Sequence, residues 1–248
     1  MTETSLWIKG HFGAQKPNLR LFCFPFAGGT AAGYRDWAFA FPASVQVLGV
    51  ELPGRATRSM ERPFVELKQL LGPLTNAIKP LLDRPFAFFG HSMGATIAFE
   101  LVRHLRRVHR LSPQVLFVSA RRAPQIPVEQ VVYNLSESEF KAMIRRFEGT
   151  PAEVLEHLEL MEVLIPLLRA DFQLTQTYMY TVDDPLECPI RAYAGLQDRE
   201  ETGELMLPWR QQTSSDFGLR ILPGNHFFLR SARNLLLQLL SRELQDAM

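Results

Sequence analysis

Pro85-Phe86-Ala87-Phe88-Phe89-Gly90-His91-Ser92-Met93-Gly94 is the stretch whose reading decides the fold of this chain. An apolar, strand-like run enters a G-x-S-x-G turn, and an amphipathic, helix-like run over residues 95–108 leaves it. A serine between strand and helix must turn so sharply that its own backbone is strained. Glycines two positions to either side remove the side chains that would collide there. The turn lifts the Ser92 hydroxyl above the sheet and sets the backbone N–H of Met93 at a helix start, where unpaired donors and the helix dipole favour a developing oxyanion. In this context the motif predicts a nucleophilic serine rather than a surface turn.

The same rhythm repeats on both sides of the turn. Residues 19–26, 45–52, 85–89, 114–120, 190–195 and 217–222 are short apolar runs, while residues 34–41, 67–82, 95–108 and 205–212 carry helical spacing. Nearly continuous apolar strands alternating with helices predict an α/β fold: a mostly parallel central sheet with helices on both faces, binding ligands beyond the carboxyl ends of its strands. Residues 1–248 read as one such domain. Over residues 124–184 the rhythm breaks, since no strand is predicted and the patterns Ser136-Glu137-Ser138-Glu139 and Thr150-Pro151-Ala152-Glu153 are helix-capping boxes. We read this segment as a helical lid inserted above Ser92. Most of its surplus apolar residues are expected to pack the lid onto the core, and a minority to line an acyl pocket.

A chain of 248 residues with 46% hydrophobic and 21% charged residues can bury a large core. Its formal charge of +1, with no basic run interleaved with aromatics, gives no case for nucleic acid as a partner. Neither a signal-like N-terminus nor a membrane-length apolar run is present in the sequence, so no membrane is expected and the setting is read as cytoplasmic. Cys23 and Cys188 read as reduced core residues. Residues 28–33 have the spacing of a phosphate-binding loop, but Tyr34-Arg35 stands where Lys-Ser/Thr is required. With no H-E-x-x-H either, the reading calls for no cofactor and no metal.

A nucleophilic serine needs a base to take its proton and an acid to orient that base, and α/β-hydrolases supply them in the order Ser, Asp/Glu, His. His226 follows the strand-like residues 217–222 through Pro223-Gly224-Asn225, which puts it at the carboxyl edge. Asp198 follows residues 190–195 by the short turn Leu196-Gln197 and reaches the same edge. Asp183 and Asp184 precede that strand, at the wrong end. Asp171 lies on a lid helix, where an arginine is expected to pair with it, and Glu200 and Glu201 are fallback acids. The second oxyanion donor is expected from the loop Phe24-Pro25-Phe26-Ala27-Gly28-Gly29, whose glycines allow close backbone approach.

Taken together, Phe22-Cys23-Phe24-Pro25-Phe26-Ala27-Gly28-Gly29, Glu51-Leu52-Pro53-Gly54-Arg55, the G-x-S-x-G turn, Leu168-Arg169-Ala170-Asp171-Phe172, the Gly195–Asp198 turn and Pro223-Gly224-Asn225-His226-Phe227-Phe228 resemble the type II thioesterases. These are stand-alone enzymes of the α/β-hydrolase fold that serve polyketide and nonribosomal peptide synthases. The resemblance covers nearly the full length. It implies a catalytic triad of Ser92, Asp198 and His226, with an oxyanion hole made by the backbone N–H groups of Met93 and Ala27. Asn225 departs from the pattern, since the family often carries an acid before the histidine. The implied reaction is hydrolysis of acyl thioesters on the phosphopantetheine arm of acyl or peptidyl carrier proteins, clearing short or aberrant acyl groups from an assembly line. A soluble carboxylesterase or an acyl-CoA thioesterase with the same triad is the alternative, and the intact triad argues against a binding protein that has lost catalysis. Carrier proteins are generally acidic. Arg55, Arg58, Arg121 and Arg122, after strands at the catalytic edge, and Arg145 and Arg146 in the lid are therefore candidate docking residues, whereas Arg103, Arg106, Arg107 and Arg110 are expected to form a solvated face.

Overall fold

The computed structural model describes residues 6–12, 17–147 and 157–246. Seven strands form its centre: β1 (Ile8–Phe12), β2 (Leu19–Phe24), β3 (Val45–Val50), β4 (Phe86–His91), β5 (Leu116–Ser119), β6 (Ile190–Gly195) and β7 (Phe217–Leu222). They lie in the order β1-β3-β2-β4-β5-β6-β7. β2 through β7 pair in parallel, as the nearly continuous apolar runs predict. β1 pairs antiparallel with β3 at one edge and is absent from the sequence reading, because its five residues, interrupted by Gly10, carry no alternation.

Successive side chains of a strand point to opposite faces, so β2 feeds two cores. Phe22 and Phe24 pack on one face with α1 (Leu67–Ile78) and α2 (Met93–His109), while Leu21 and Cys23 pack on the other with a 3₁₀ helix (Ala31–Ala40) and the C-terminal helix. α1 buries Leu67, Leu70, Leu71 and Leu74, the i, i+3, i+4, i+7 stripe of an amphipathic helix. The predicted helix at 34–41 is realised as 3₁₀. The one at 205–212 divides into a short α-helix (Gly203–Met206) and a 3₁₀ helix (Leu207–Gln212). Cys23 and Cys188 are free and buried, and burial pushes the Cys188 thiol up to about 11.

Between β5 and β6 lie α3 (Glu137–Phe147) and α4 (Leu158–Gln176), with no strand among the described residues of 124–184. The first capping box forms: the Glu139 N–H donates to Ser136 Oγ at 3.4 Å and the Ser136 N–H to Glu139 Oε2 at 3.1 Å. The second, at 150–153, falls outside the described residues. A separate apolar cluster of Val132, Phe140, Ile144, Met161, Ile165 and Leu168 joins α3 to α4, with Ala27 of the β2 loop packed against it. The C-terminal helix, Arg233–Asp246, closes the opposite face by burying Leu236, Leu237, Leu240 and Leu244. Each such leucine contributes on the order of 1.5–3 kcal/mol.

Candidate active site

β4 ends in the strained turn that the sequence predicts. Ser92 has φ 53° and ψ −116°, a left-handed backbone that only a surrounding lattice of bonds can maintain. Its N–H donates to Ser119 O at 2.8 Å, and its carbonyl accepts the Ala95 N–H at 3.0 Å. The flanking glycines are obligatory. A Cβ on Gly90 would lie 2.2 Å from Gly94 O, and one on Gly94 would lie 2.1 Å from Phe24 O. Met93 begins α2, so its N–H is among the unpaired donors of a helix start.

The loops after β6 and β7 are knitted together by backbone bonds and by the Gln197 side chain. Leu196 N donates to Leu222 O at 2.7 Å, Gln197 N to Gly224 O at 2.9 Å, and Gly224 N to Gln197 Oε1 at 2.5 Å. Asp198 and His226 meet across this seam, with Asp198 Oδ2 2.8 Å from His226 Nδ1. Asp198 Oδ1 accepts the N–H groups of Glu200 and Glu201 at 3.0 and 3.1 Å. Burial pushes the Asp198 carboxyl up, but the His226 hydrogen bond and charge, with those two amides, outweigh it and hold the group below its ordinary range. Asn225 Oδ1 accepts the Phe227 N–H at 2.9 Å, closing a local turn in the backbone around His226.

Ser92, Met93, Ala27, Asp198 and His226 all line one cavity of about 1210 Å³. Met143, Leu164, Leu168 and Phe172 of α3 and α4 supply part of its apolar wall, while Met161 and Leu167 are buried. That division reverses the expected one: among these described lid residues the cavity wall takes the larger share and pure packing the smaller, because α3 and α4 lie directly over the cavity.

His91, the variable residue of the motif, escaped the sequence reading. It is fully buried; Nδ1 pairs with Ser119 Oγ at 2.9 Å, and its ring stands edge-on to that of His226 with centroids 5.4 Å apart. Burial first, and then the neighbouring charge of His226, hold His91 well below the ordinary imidazole range, so it is neutral.

Most of the arginines named for docking do something else. Arg55 is 3% exposed and chelated by Asp171, and Arg58 is buried against Glu61. Arg122 donates from its own N–H (2.6 Å) and from Nε (3.1 Å) to Glu201 Oε2, and Arg121 lies 3.7 Å from the same carboxylate. This group braces the Asp198 loop against the end of β5. Order along the chain places a residue at an edge but says nothing of whether it faces solvent. The expected solvated face holds for Arg107 and Arg110, which are exposed, and fails for Arg103, buried on Glu100, and Arg106, which reaches Asp183 at 3.1 Å.

The thioesterase domain family matches residues 19–244 of the chain. The gramicidin S biosynthesis protein GrsT of Aneurinibacillus migulanus is 42% identical over 246 residues, covering 99% of this chain and 96% of that protein. The thioesterase RedJ from the prodiginine pathway of Streptomyces coelicolor superposes with a TM-score of 0.87 at 36% identity, over 92% of this chain and 86% of that one. The type II thioesterase BorB from the borrelidin biosynthetic cluster superposes with a TM-score of 0.86 at 33% identity, over 97% of each chain. Both structural neighbours carry the same mostly parallel, helix-flanked sheet.

Proposed function

The chain belongs to the thioesterase domain family, and on that premise we propose that it hydrolyses acyl thioesters carried on the phosphopantetheine arm of carrier proteins, releasing stalled or aberrant acyl groups from a nonribosomal peptide or polyketide assembly line. The observation that carries this reading is the Asp198–His226 hydrogen bond of 2.8 Å, opening onto the same cavity as the strained Ser92 turn. Likeness to proteins of gramicidin, prodiginine and borrelidin biosynthesis supports the assembly-line setting.

Asp198 engages Nδ1 of His226, which leaves Nε2 as the nitrogen that takes the Ser92 proton. The Ser92 oxygen attacks the thioester carbonyl, and the N–H groups of Met93 and Ala27 hold the resulting oxyanion. Collapse expels the pantetheine thiolate, which recovers the proton from His226, and leaves an acyl-Ser92 ester. Water, deprotonated by His226, then releases the carboxylic acid and frees Ser92. No cofactor enters these steps.

In this reading α3 and α4 form a lid over a single catalytic domain, their apolar cavity wall receives the acyl chain, and the enzyme works in the cytoplasm. Buried free thiols suit that reducing compartment, and no helix among the described residues is long and apolar enough to cross a membrane. Docking of an acidic carrier falls to the exposed Arg145, Arg146 and Arg199, because Arg55, Arg58, Arg121 and Arg122 are engaged inward. The deciding experiment compares one acyl group on a carrier protein and on CoA. Higher kcat/KM on the carrier supports the proposal; equal or lower kcat/KM replaces it with a general acyl-CoA thioesterase or esterase.

A further inference from the structure

Arg55 and Asp171 form a buried, two-pronged ion pair: Nη2 to Oδ1 at 2.7 Å and Nη1 to Oδ2 at 3.0 Å, with Asp171 only 1% exposed. Burying such a pair is seldom a net gain in stability, since desolvation offsets the attraction and an apolar pair often serves as well. The carboxylate has a third partner. Gly28 N–H donates to Asp171 Oδ2 at 2.7 Å across 143 residues of sequence, and Arg55 Nη1 also donates to Gly29 O at 3.1 Å.

Those contacts converge on the turn that carries Ala27. Gly29 N–H donates to Phe26 O at 2.8 Å and Gly28 has φ +75°, the pattern of a type II turn with Ala27 and Gly28 at its centre. Flipping the peptide between them would withdraw the Gly28 N–H and turn the Ala27 carbonyl toward a carboxylate. Asp171 therefore holds that peptide in one orientation by charge, and by gripping Gly28 it anchors to α4 the turn that also carries the Ala27 N–H, which belongs to the preceding peptide. Leu168, one turn earlier on α4, covers the same spot, its Cδ2 only 2.7 Å from where a Gly28 Cβ would sit.

Resting on the reaction proposed above, we infer that Asp171, locked by Arg55, is a positioning residue that fixes the Ala27 oxyanion donor relative to Ser92. The lid helix α4 is thus a structural part of the oxyanion hole. The test uses a trifluoromethyl ketone, which Ser92 captures as a hemiketal oxyanion, and the matching methyl ketone, which reports ground-state binding alone. Asp171→Asn should lower kcat by about 10- to 100-fold with KM within about threefold, and cut the trifluoromethyl-to-methyl affinity ratio by the same factor. Replacing the pair together, Arg55→Leu with Asp171→Leu, should keep the fold and leave the ratio low. Should either variant fail to fold, Arg55→Lys, which keeps the charge but loses the fork, should lower the ratio by about three- to tenfold. A folded variant that retains the full ratio overturns the inference and leaves Asp171 a mere tether. Because the ketones need no carrier protein, wild-type indifference to acyl-carrier substrates would sink the proposed function and leave this inference standing.

Discussion

The two sides of the proposed active site are held by different means. On the acid–base side, Asp198 and His226 stand on adjacent loops whose backbones bond to each other, so neighbouring strands deliver the pair with little outside help. On the oxyanion side, Ala27 sits in a turn whose shape is fixed by a carboxylate 143 residues away on an inserted helix. The first arrangement is a product of sheet topology; the second depends on a tertiary contact. Damage to the first should therefore stop the chemistry outright, whereas damage to the second should loosen it by degrees.

The largest effect expected is from Ser92→Ala, which should lower turnover by about a million-fold while thermal unfolding stays where it was. A variant retaining a tenth of wild-type activity would be incompatible with Ser92 as nucleophile. Asp198→Asn should cost about ten-thousand-fold, because the amide favours the wrong imidazole tautomer. Glu201→Gln separates chemistry from bracing. It leaves Arg121 and Arg122 without their counter-charge, so it should destabilise by about 3 kcal/mol in denaturant unfolding with a smaller loss of kcat than Asp198→Asn. The reverse ranking would make Glu201 the acid.

On the oxyanion side, Gly28→Ala meets both a positive φ and Leu168 at 2.7 Å, so kcat should fall by about 10- to 100-fold, well short of the triad losses. A loss as deep as that of Asp198→Asn would erase the contrast between the two sides.

A pH effect follows from His91. Its folded pKa lies well below the ordinary 6.5, so below pH 6.5 the unfolded chain binds a proton that the native state refuses. Stability should then fall as pH drops, by at most about 1.4 kcal/mol per unit from this group, and should be fully restored above the ordinary value. His91→Asn should flatten the slope of melting temperature against pH between 6.5 and 5; an unchanged slope would assign it to other groups. The smallest effect is expected at the rim, where Arg145→Glu with Arg146→Glu should raise KM for an acidic carrier several-fold at low salt, fading by about 0.5 M salt, with small thioesters unaffected. Insensitivity to salt would remove these arginines from docking.

Much of this was legible in residue order. Six parallel strands, the elbow at Ser92 and the placement of Asp198 and His226 follow from apolar runs and the turns that end them, because a parallel strand fixes which edge its next loop occupies. The antiparallel β1 and the helix Arg233–Asp246 escaped, the first for want of alternation and the second because its leucines find their meaning only against the sheet. The arginines misled for a related reason. Arg55, Arg58, Arg121 and Arg122 do stand near the catalytic edge, but a long flexible side chain turns inward or outward according to the partner it meets.

What the sequence by itself determined is therefore local or periodic: the strained serine turn, the strand rhythm, the capping box at Ser136 and the order of Ser92, Asp198 and His226, each encoded within a few residues of where it acts. What only the tertiary structure decided is pairing across distance. Glu201 with Arg122, His91 beneath His226, and Asp171 with Arg55 and Gly28 each join residues remote in sequence, and the strength of each depends on burial that no single segment specifies.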